Sequence, residues 1–282
     1  AFDVEYYLVE KKLGLHPDKT FDIFFYRWLM KRKTANSFFT LMTKRNIRIS
    51  NCVKYLFFCN YLFPGYKKHQ ILPAEQRFGS RDIMGLLRQT GPQLSFTKVE
   101  EADGREFLKL IGLDKNEKFV CLIVRDSAYL KNAEHHNYRD SDIDTYKEAA
   151  LALAKKGYWV FRMGKVVHKT FNIDHPNVID YAKSNFRSDF LDIWLMANCF
   201  FCISTGTGLD EVSRIFRRPG VYLNYLPLLD MVSYDNVLSV PSKIRWKDSG
   251  KALTFTEHLN HSYFETQQYE QERIVIEKLS SI

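Results

Sequence analysis

Residues 199–224, CFFCISTGTGLDEVSRIFRRPGVYLN, decide the fold. Residues 200–204 are short, apolar and followed by a glycine turn, which suits a strand covered on both faces. Thr205-Gly206-Thr207-Gly208 turns the chain. A helix starting near Leu209 would aim its unpaired N–H groups and positive dipole end above the strand, where a phosphate or carboxylate fits. Ile215 and Phe216 supply that helix with an apolar stripe, Arg217-Arg218-Pro219-Gly220 ends it, and residues 221–223 return to the sheet. A plain α/β turn, whose glycines only permit positive φ, would read the same way.

The sequence upstream repeats this rhythm. Residues 118–124 form an apolar run fit for a buried strand. Ser141 can cap a helix with Asp144 at its third position and Ile143, Tyr146, Ala150 and Leu153 at helical spacing, until Lys155-Lys156-Gly157 stops it. Strands follow at 158–163 and 177–179, and a second helix at 189–198. Strands alternating with helices imply an α/β fold with a doubly wound parallel sheet, Rossmann-like over residues 116–248. Residues 1–115 then form a smaller N-terminal domain, and 249–282 an extension with a helical segment near 265–278.

Ligands of such sheets bind beyond the carboxyl ends of the strands. The residues expected there are Arg125-Asp126, Arg162 with Gly164, Asp180, Ser204-Thr205-Gly206 and Asn224. Strand ends are exposed, and exposure alone favours polar residues. Two arginines converging with a Gly-rich helix start nonetheless point to a phosphorylated ligand, because guanidinium forks match phosphate oxygens. NAD does not fit, since a dinucleotide fingerprint would follow the first strand, where Arg125-Asp126-Ser127-Ala128-Tyr129 stands. No triphosphate-binding G-x-x-x-x-G-K-[ST] loop is present either.

Composition narrows the class further. The 282 residues are 45% hydrophobic and 15% aromatic, which excludes a disordered chain. Apolar stretches such as 21–30 and 55–63 are too short to span a bilayer. No secretory signal is evident, so a cytoplasmic location is expected. Five cysteines, with Cys121, Cys199 and Cys202 in apolar runs, argue for free thiols in a reducing compartment. Cys199-x-x-Cys202 lacks the second pair a metal site needs. The net charge of +8 clusters early, with Lys31-Arg32-Lys33, Lys44-Arg45 and Arg48 among Phe21, Phe24, Phe25, Tyr26, Trp28, Phe38 and Phe39. That surface could rest on anionic lipid at the inner membrane face, or could be a solvated basic face. Nucleic acid is not expected, for no zinc-finger spacing, RNP-type strand or basic heptad region occurs.

The segments SFTKVEEADGREFLKLIGL, FVCLIVRDSAYL, HHNYRDSDIDTYKEAALALAKKGYWVFRMG and DYAKSNFRSDFLDIWLMANCFFCISTGTGLDEVSRIFRRPGVYLN occur in this order over roughly residues 93–230. Together they resemble a family of bacterial glycosyltransferases found with surface-polysaccharide biosynthesis genes. The resemblance implies a GT-B-type catalytic half that moves a sugar from a nucleotide-activated donor to a glycan or lipid-linked acceptor. No resident cofactor or metal is implied, the nucleotide-sugar being a substrate. The first 90 residues match less clearly and are short for a full acceptor-binding domain. The chain begins with Ala1, not Met, which leaves a fragment open.

In glycosyl transfer the leaving phosphate gains negative charge, which arginines and helix-end amides can stabilise. Arg125, Arg162, Gly164 and the stretch from Ser204 through Thr205, Gly206 and Thr207 to Gly208 are the donor-binding candidates. Asp210 or Glu211 is placed to bind ribose hydroxyls, or is a first-turn acid favoured by the helix dipole. His135 and His136 are candidates for the base that deprotonates the acceptor, with Asp180 as their rival. Tyr138, Arg139 and Arg187 are candidate substrate contacts. A sugar-nucleotide epimerase of the same fold and a non-catalytic binding or scaffold module remain alternatives.

Overall fold

The computed structural model describes residues 2–17, 19–26, 34–71, 82, 84–129, 134–232 and 236–279. The chain opens with α1 (Phe2–Lys12), β1 (Ile23–Phe24), α2 (Ser37–Asn46), β2 (Arg48–Ile49), α3 (Val53–Asn60) and α4 (Lys98–Leu110). The alternating region follows: β3 (Phe119–Ile123), α5 (Lys147–Lys155), β4 (Trp159–Arg162), β5 (Val178–Ile179), α6 (Asp189–Asn198), β6 (Phe201–Ser204), α7 (Glu211–Ile215) and β7 (Gly220–Tyr225). The last elements are β8 (Val237–Pro241), β9 (Lys243–Trp246), α8 (Phe255–Asn260), α9 (Thr266–Gln271) and β10 (Ile274–Glu277).

Six of these strands make one parallel sheet in the order β5-β4-β3-β6-β7-β8. Every residue of β3 is buried, as a central strand covered on both faces requires. Its side chains alternate between two cores. Phe119, Cys121 and Ile123 join a cluster with Val9, Phe39, Met42, Phe107, Leu195 and Ile215. Val120, Leu122 and Val124 join Ile143, Tyr146, Ala150 and Phe171 on the other face. The doubly wound expectation therefore holds.

The first cluster includes residues of α1, α2 and α4, so the N-terminal stretch shares a core with the sheet and the expected division near residue 115 is not a break in the packing. Phe38 lies 5.0 Å from Phe190, and Phe96 lies between Phe38 and Phe216. The buried Glu5 carboxylate accepts from the Gln93 and Leu94 amides and from Arg217 Nη2 at 2.8 Å, which fastens α1 to the end of α7. Gly104 lets α4 close on α6: a Cβ there would fall 2.1 Å from the Trp194 ring. A mid-helix glycine costs about 1 kcal/mol in propensity, which this close packing offsets.

Three expectations need correction. The helix after residue 140 is capped by Asp142, whose Oδ1 accepts the Asp144 N–H at 3.1 Å, and a 3₁₀ turn at Ile143–Tyr146 precedes α5. Helix α7 starts at Glu211, not near Leu209, because Thr207 and Asp210 close a tight turn first. The C-terminal extension is not chiefly helical. Arg273, at φ 56°, follows α9, and the β-branched run Ile274-Val275-Ile276 pairs antiparallel with β9. Ile274, Ile244, Tyr269, Leu226 and Tyr138 make a third small core. Among the described residues, no helix is long and apolar enough to cross a membrane.

Candidate functional site

From β3 the chain moves outward through β4 and β5; from β6 it moves the opposite way through β7 and β8. The helices after β3 and β6 thus leave on opposite faces, and a crevice opens beyond the carboxyl ends of these neighbouring strands. A cavity of about 800 Å³ lies there. Ile123 to Asp126, Gly164, Thr207, Gly208 and Leu209 line it from the sheet, and Asp3, Phe25, Tyr26, Asn36, Phe39 and Thr43 from the N-terminal stretch.

The Gly-rich turn is built around Asp210. Its Oδ2 accepts from Ser204 Oγ at 2.5 Å and from the Thr207 N–H at 2.8 Å, while Ser204 Oγ accepts from the Gly206 N–H at 3.0 Å. Burial, with Glu211 adjacent, pushes the Asp210 carboxyl up to about 7. Asp210 is therefore a structural knot of the turn and not a ribose ligand. Gly206, at φ 83°, backs onto the Tyr225 ring, where an added Cβ would come within 2.7 Å. A Cβ on Gly208 meets nothing within 4 Å, so this glycine faces open space. Glu211, the other ribose candidate, is held by Arg214 Nη1 at 3.0 Å to both oxygens.

The two arginines part company. The Arg125 amide donates to Thr205 Oγ1 at 2.8 Å, stitching the loops after β3 and β6 together. Arg125 lines the cavity, and its Nε meets Asp140 at 3.2 Å. Burial and nearby Arg139 lower its pKa from the usual arginine range. Arg162 is 0% exposed, paired with Asp180 at 3.1 Å, and does not line the cavity. It projects from β4 on the same face as Val160, into the second core. Asp180 also accepts the Phe171 N–H at 2.8 Å, so neither member of the pair acts at the crevice.

The other candidates also lie apart from the cavity. His135 and His136 sit on a 3₁₀ turn over Glu134–Arg139, with ring centroids 4.0 Å apart. Burial, then His135, Arg139 and Arg125, lower the His136 pKa. Tyr138 is buried against Tyr269 in the third core, and Arg139 lies 5.6 Å over the Tyr138 ring. Asn224 is buried too, clasping the main chain of Leu279. Arg187 pairs with Asp189 and with Asp192, at 2.9 and 2.6 Å.

Asp3, Asn36, Thr43 and Asp192 line the cavity although the sequence reading assigns them no role there, and the bonds that build its walls are not foreseen in it either. Asp126 accepts the Ala128 N–H at 3.0 Å and the His168 N–H at 2.9 Å, tying the loops after β3 and β4. The first bond is an Asx turn, for which an aspartate just past a strand is the available signal. Asp189 fastens the far wall: Ser37 N–H and Oγ both donate to Oδ2 at 2.8 Å, and Lys165 Nζ bridges Oδ1 and the Ala35 carbonyl. Burial alone would raise the Asp189 pKa, but these donors with Arg187 hold it well below the usual carboxylate range. No local pattern announces a pairing across 152 residues. Of the early basic-aromatic cluster, Phe39 is core, Phe38 is stacked, and Arg45 is paired with Glu100 at 2.5 Å. Trp28 and Lys31-Arg32-Lys33 lie outside the described residues.

Fold and site define an α/β protein with a ligand-sized cavity at the switch point of a Rossmann-ordered sheet. No protein-family model matches the chain, and no curated protein does. Among solved structures it is similar to the ADP-heptose lipopolysaccharide heptosyltransferase II of E. coli, at 15% identity and a TM-score of 0.37 over 52% of this chain. It is also similar to a family 9 glycosyl transferase from Veillonella parvula, at 12% identity and a TM-score of 0.41 over 56% of this chain. The alignments take in 44% and 45% of those chains, so the chain spans under half their length.

Proposed function

We propose that this chain carries the donor side of a glycosyltransferase, moving a sugar from a nucleotide-activated donor to a glycan or lipid-linked acceptor in surface-polysaccharide synthesis. One observation carries the reading: an 800 Å³ cavity sits at the switch point where Arg125 and the Thr207-Gly208 turn meet. That volume is within the range of small-molecule sites, and the crevice is where open α/β sheets take nucleotides. The donor diphosphate lies against Arg125 and the turn, where Gly208 leaves room for it. In the transfer, the acceptor hydroxyl oxygen bonds to the anomeric carbon. The bond from that carbon to the phosphate oxygen breaks, its electron pair going to the nucleoside diphosphate. Arg125 offsets the charge that develops there.

The acceptor's proton needs a base within the cavity, and among the described residues the lining holds no histidine but three aspartates, Asp3, Asp126 and Asp192. Asp126 is engaged by two backbone amides and Asp192 by Arg187, whereas Asp3 belongs to the N-terminal wall, across from the donor. Displacement with inversion would use Asp3 as general base. The test is a titration of UDP-, GDP-, TDP- and CMP-sugars into the wild type, Arg125→Ala and Asp3→Asn, with donor turnover followed in parallel. The expected outcome is binding of one nucleotide class by the wild type. Arg125→Ala should lose about 10²–10³-fold in turnover, and Asp3→Asn should bind donor normally but turn over slowly. Donor binding that Arg125→Ala leaves unchanged would sink the assignment. Donor turnover without acceptor would favour an epimerase.

A further inference from the structure

The charge of this chain is concentrated in one segment. Residues 23–74 contain ten Lys and Arg and no Asp or Glu, although the whole chain nets only +8. Within that segment α3 and the turn after it bury no side chain of their own. Leu62 is 82% exposed, Leu56 68%, Tyr55 67% and Phe63 63%, with Phe58 and Tyr61 about half exposed beside them. Lys67 and Lys68 stand exposed at the end of the turn, and Lys54 lies 5.9 Å over the Phe58 ring. The surface is held in shape from beneath: Phe57 meets Phe58 at 5.7 Å and Tyr61 at 5.5 Å, and Asn60 Nδ2 donates to the Tyr66 carbonyl at 2.8 Å.

We infer that the α3 face docks on an anionic lipid bilayer. Large apolar and tyrosine side chains beside lysines, with no acid, match both layers of a membrane interface: the rings and Leu62 enter the acyl boundary while the lysines meet lipid phosphates. A second copy is a poor occupant, because pairing like with like would bring the same lysines face to face. The aromatic path also leads inward. Phe57 packs 5.1 Å from Phe25, which lines the cavity, so docking sets the cavity mouth beside the bilayer surface. This surface lies one element beyond the basic-aromatic cluster singled out in the sequence, where Phe39 is core and Phe38 packs against it.

Sedimentation with phosphatidylcholine vesicles, with and without phosphatidylglycerol, tests it. The wild type should bind the anionic vesicles, and added salt should weaken the binding. Lys67→Glu with Lys68→Glu should lower vesicle affinity by at least about twentyfold. Leu62→Ser with Phe63→Ser should lower it by about tenfold or more, since two buried side chains are lost. These residues are exposed, so near-ultraviolet circular dichroism of both variants should match the wild type. Equal failure to bind either vesicle overturns the inference and leaves the face to an acidic protein partner. Vesicle binding that both variants retain overturns it as well, as does self-association that Leu62→Ser with Phe63→Ser abolishes. Vesicle binding needs no sugar transfer, so its failure would leave the proposed function standing.

Discussion

The carboxyl ends of β3 and β4 are neighbours in one sheet, and each carries an arginine near an aspartate, yet of the two arginines only Arg125 lines the cavity. Arg125 sits where the chain reverses its direction of winding, so its loop and the loop after β6 diverge and leave room between them. Arg162 sits one strand to the side, under the β4–β5 connection, with Asp180 and Phe171 closing over it. Polar residues at a strand end mark a site only where the topology parts the loops; elsewhere the same residues become an ion pair of the core.

The largest effect expected from breaking this comparison is in stability. Arg162→Ala removes one member of a buried pair and leaves Asp180 uncompensated, so chemical denaturation should report a loss of about 3–5 kcal/mol. The Arg125–Asp140 pair is more exposed, 13% and 23% against 1% and 13% for Arg162 and Asp180, so Arg125→Ala should cost less, about 1–2 kcal/mol. Equal losses in the two variants would erase the distinction.

Asp210 sharpens the account of the turn through pH. Its folded pKa, about 7, lies above the unfolded 3.8, so between these values the native state holds more protons than the unfolded one. Stability from this group therefore falls as pH rises from about 4 through 7. A neutral amide keeps the acceptor for the Thr207 N–H, so Asp210→Asn should gain on the wild type over that window, by at most about 4 kcal/mol. Parallel stability curves would contradict the buried-acid reading.

The smallest contrast lies within the Gly-rich turn. Gly206→Ala imposes positive φ on alanine and a clash with Tyr225, and should lower stability by roughly 2 kcal/mol. Gly208→Ala should stay within about 0.5 kcal/mol of the wild type. Melting temperatures of the two variants check this, and a reversed order would mean that the glycine roles are exchanged.

Much of the fold was legible because its signals are local. An apolar run marks β3, and α6 spans the expected residues since Ser188 caps it at the Leu191 N–H and Cys199 leaves it extended. Some site corrections were legible as well: Glu211 and Arg214 stand one turn apart, and Arg187 precedes Asp189 and Asp192 closely enough to be claimed by them. The rest depends on pairing at long range. Strand order decides that Arg125 lines a crevice and Arg162 does not, and Asp189 meets Ser37 only because α2 packs on α6. The β10 strand was misread because its charged flanks look helical, while its β-branched residues answer to Ile244 and Trp246.

The most direct test of the central claim is hydrogen exchange of the backbone amides with and without the nucleotide-sugar that binds. The account predicts slowed exchange at residues 123–126 and 205–209, on the two sides of the switch point, with residues 171–181 around the Arg162–Asp180 pair unchanged. Protection confined to 171–181, or absent from both loops of the crevice while ligand is bound, would contradict it.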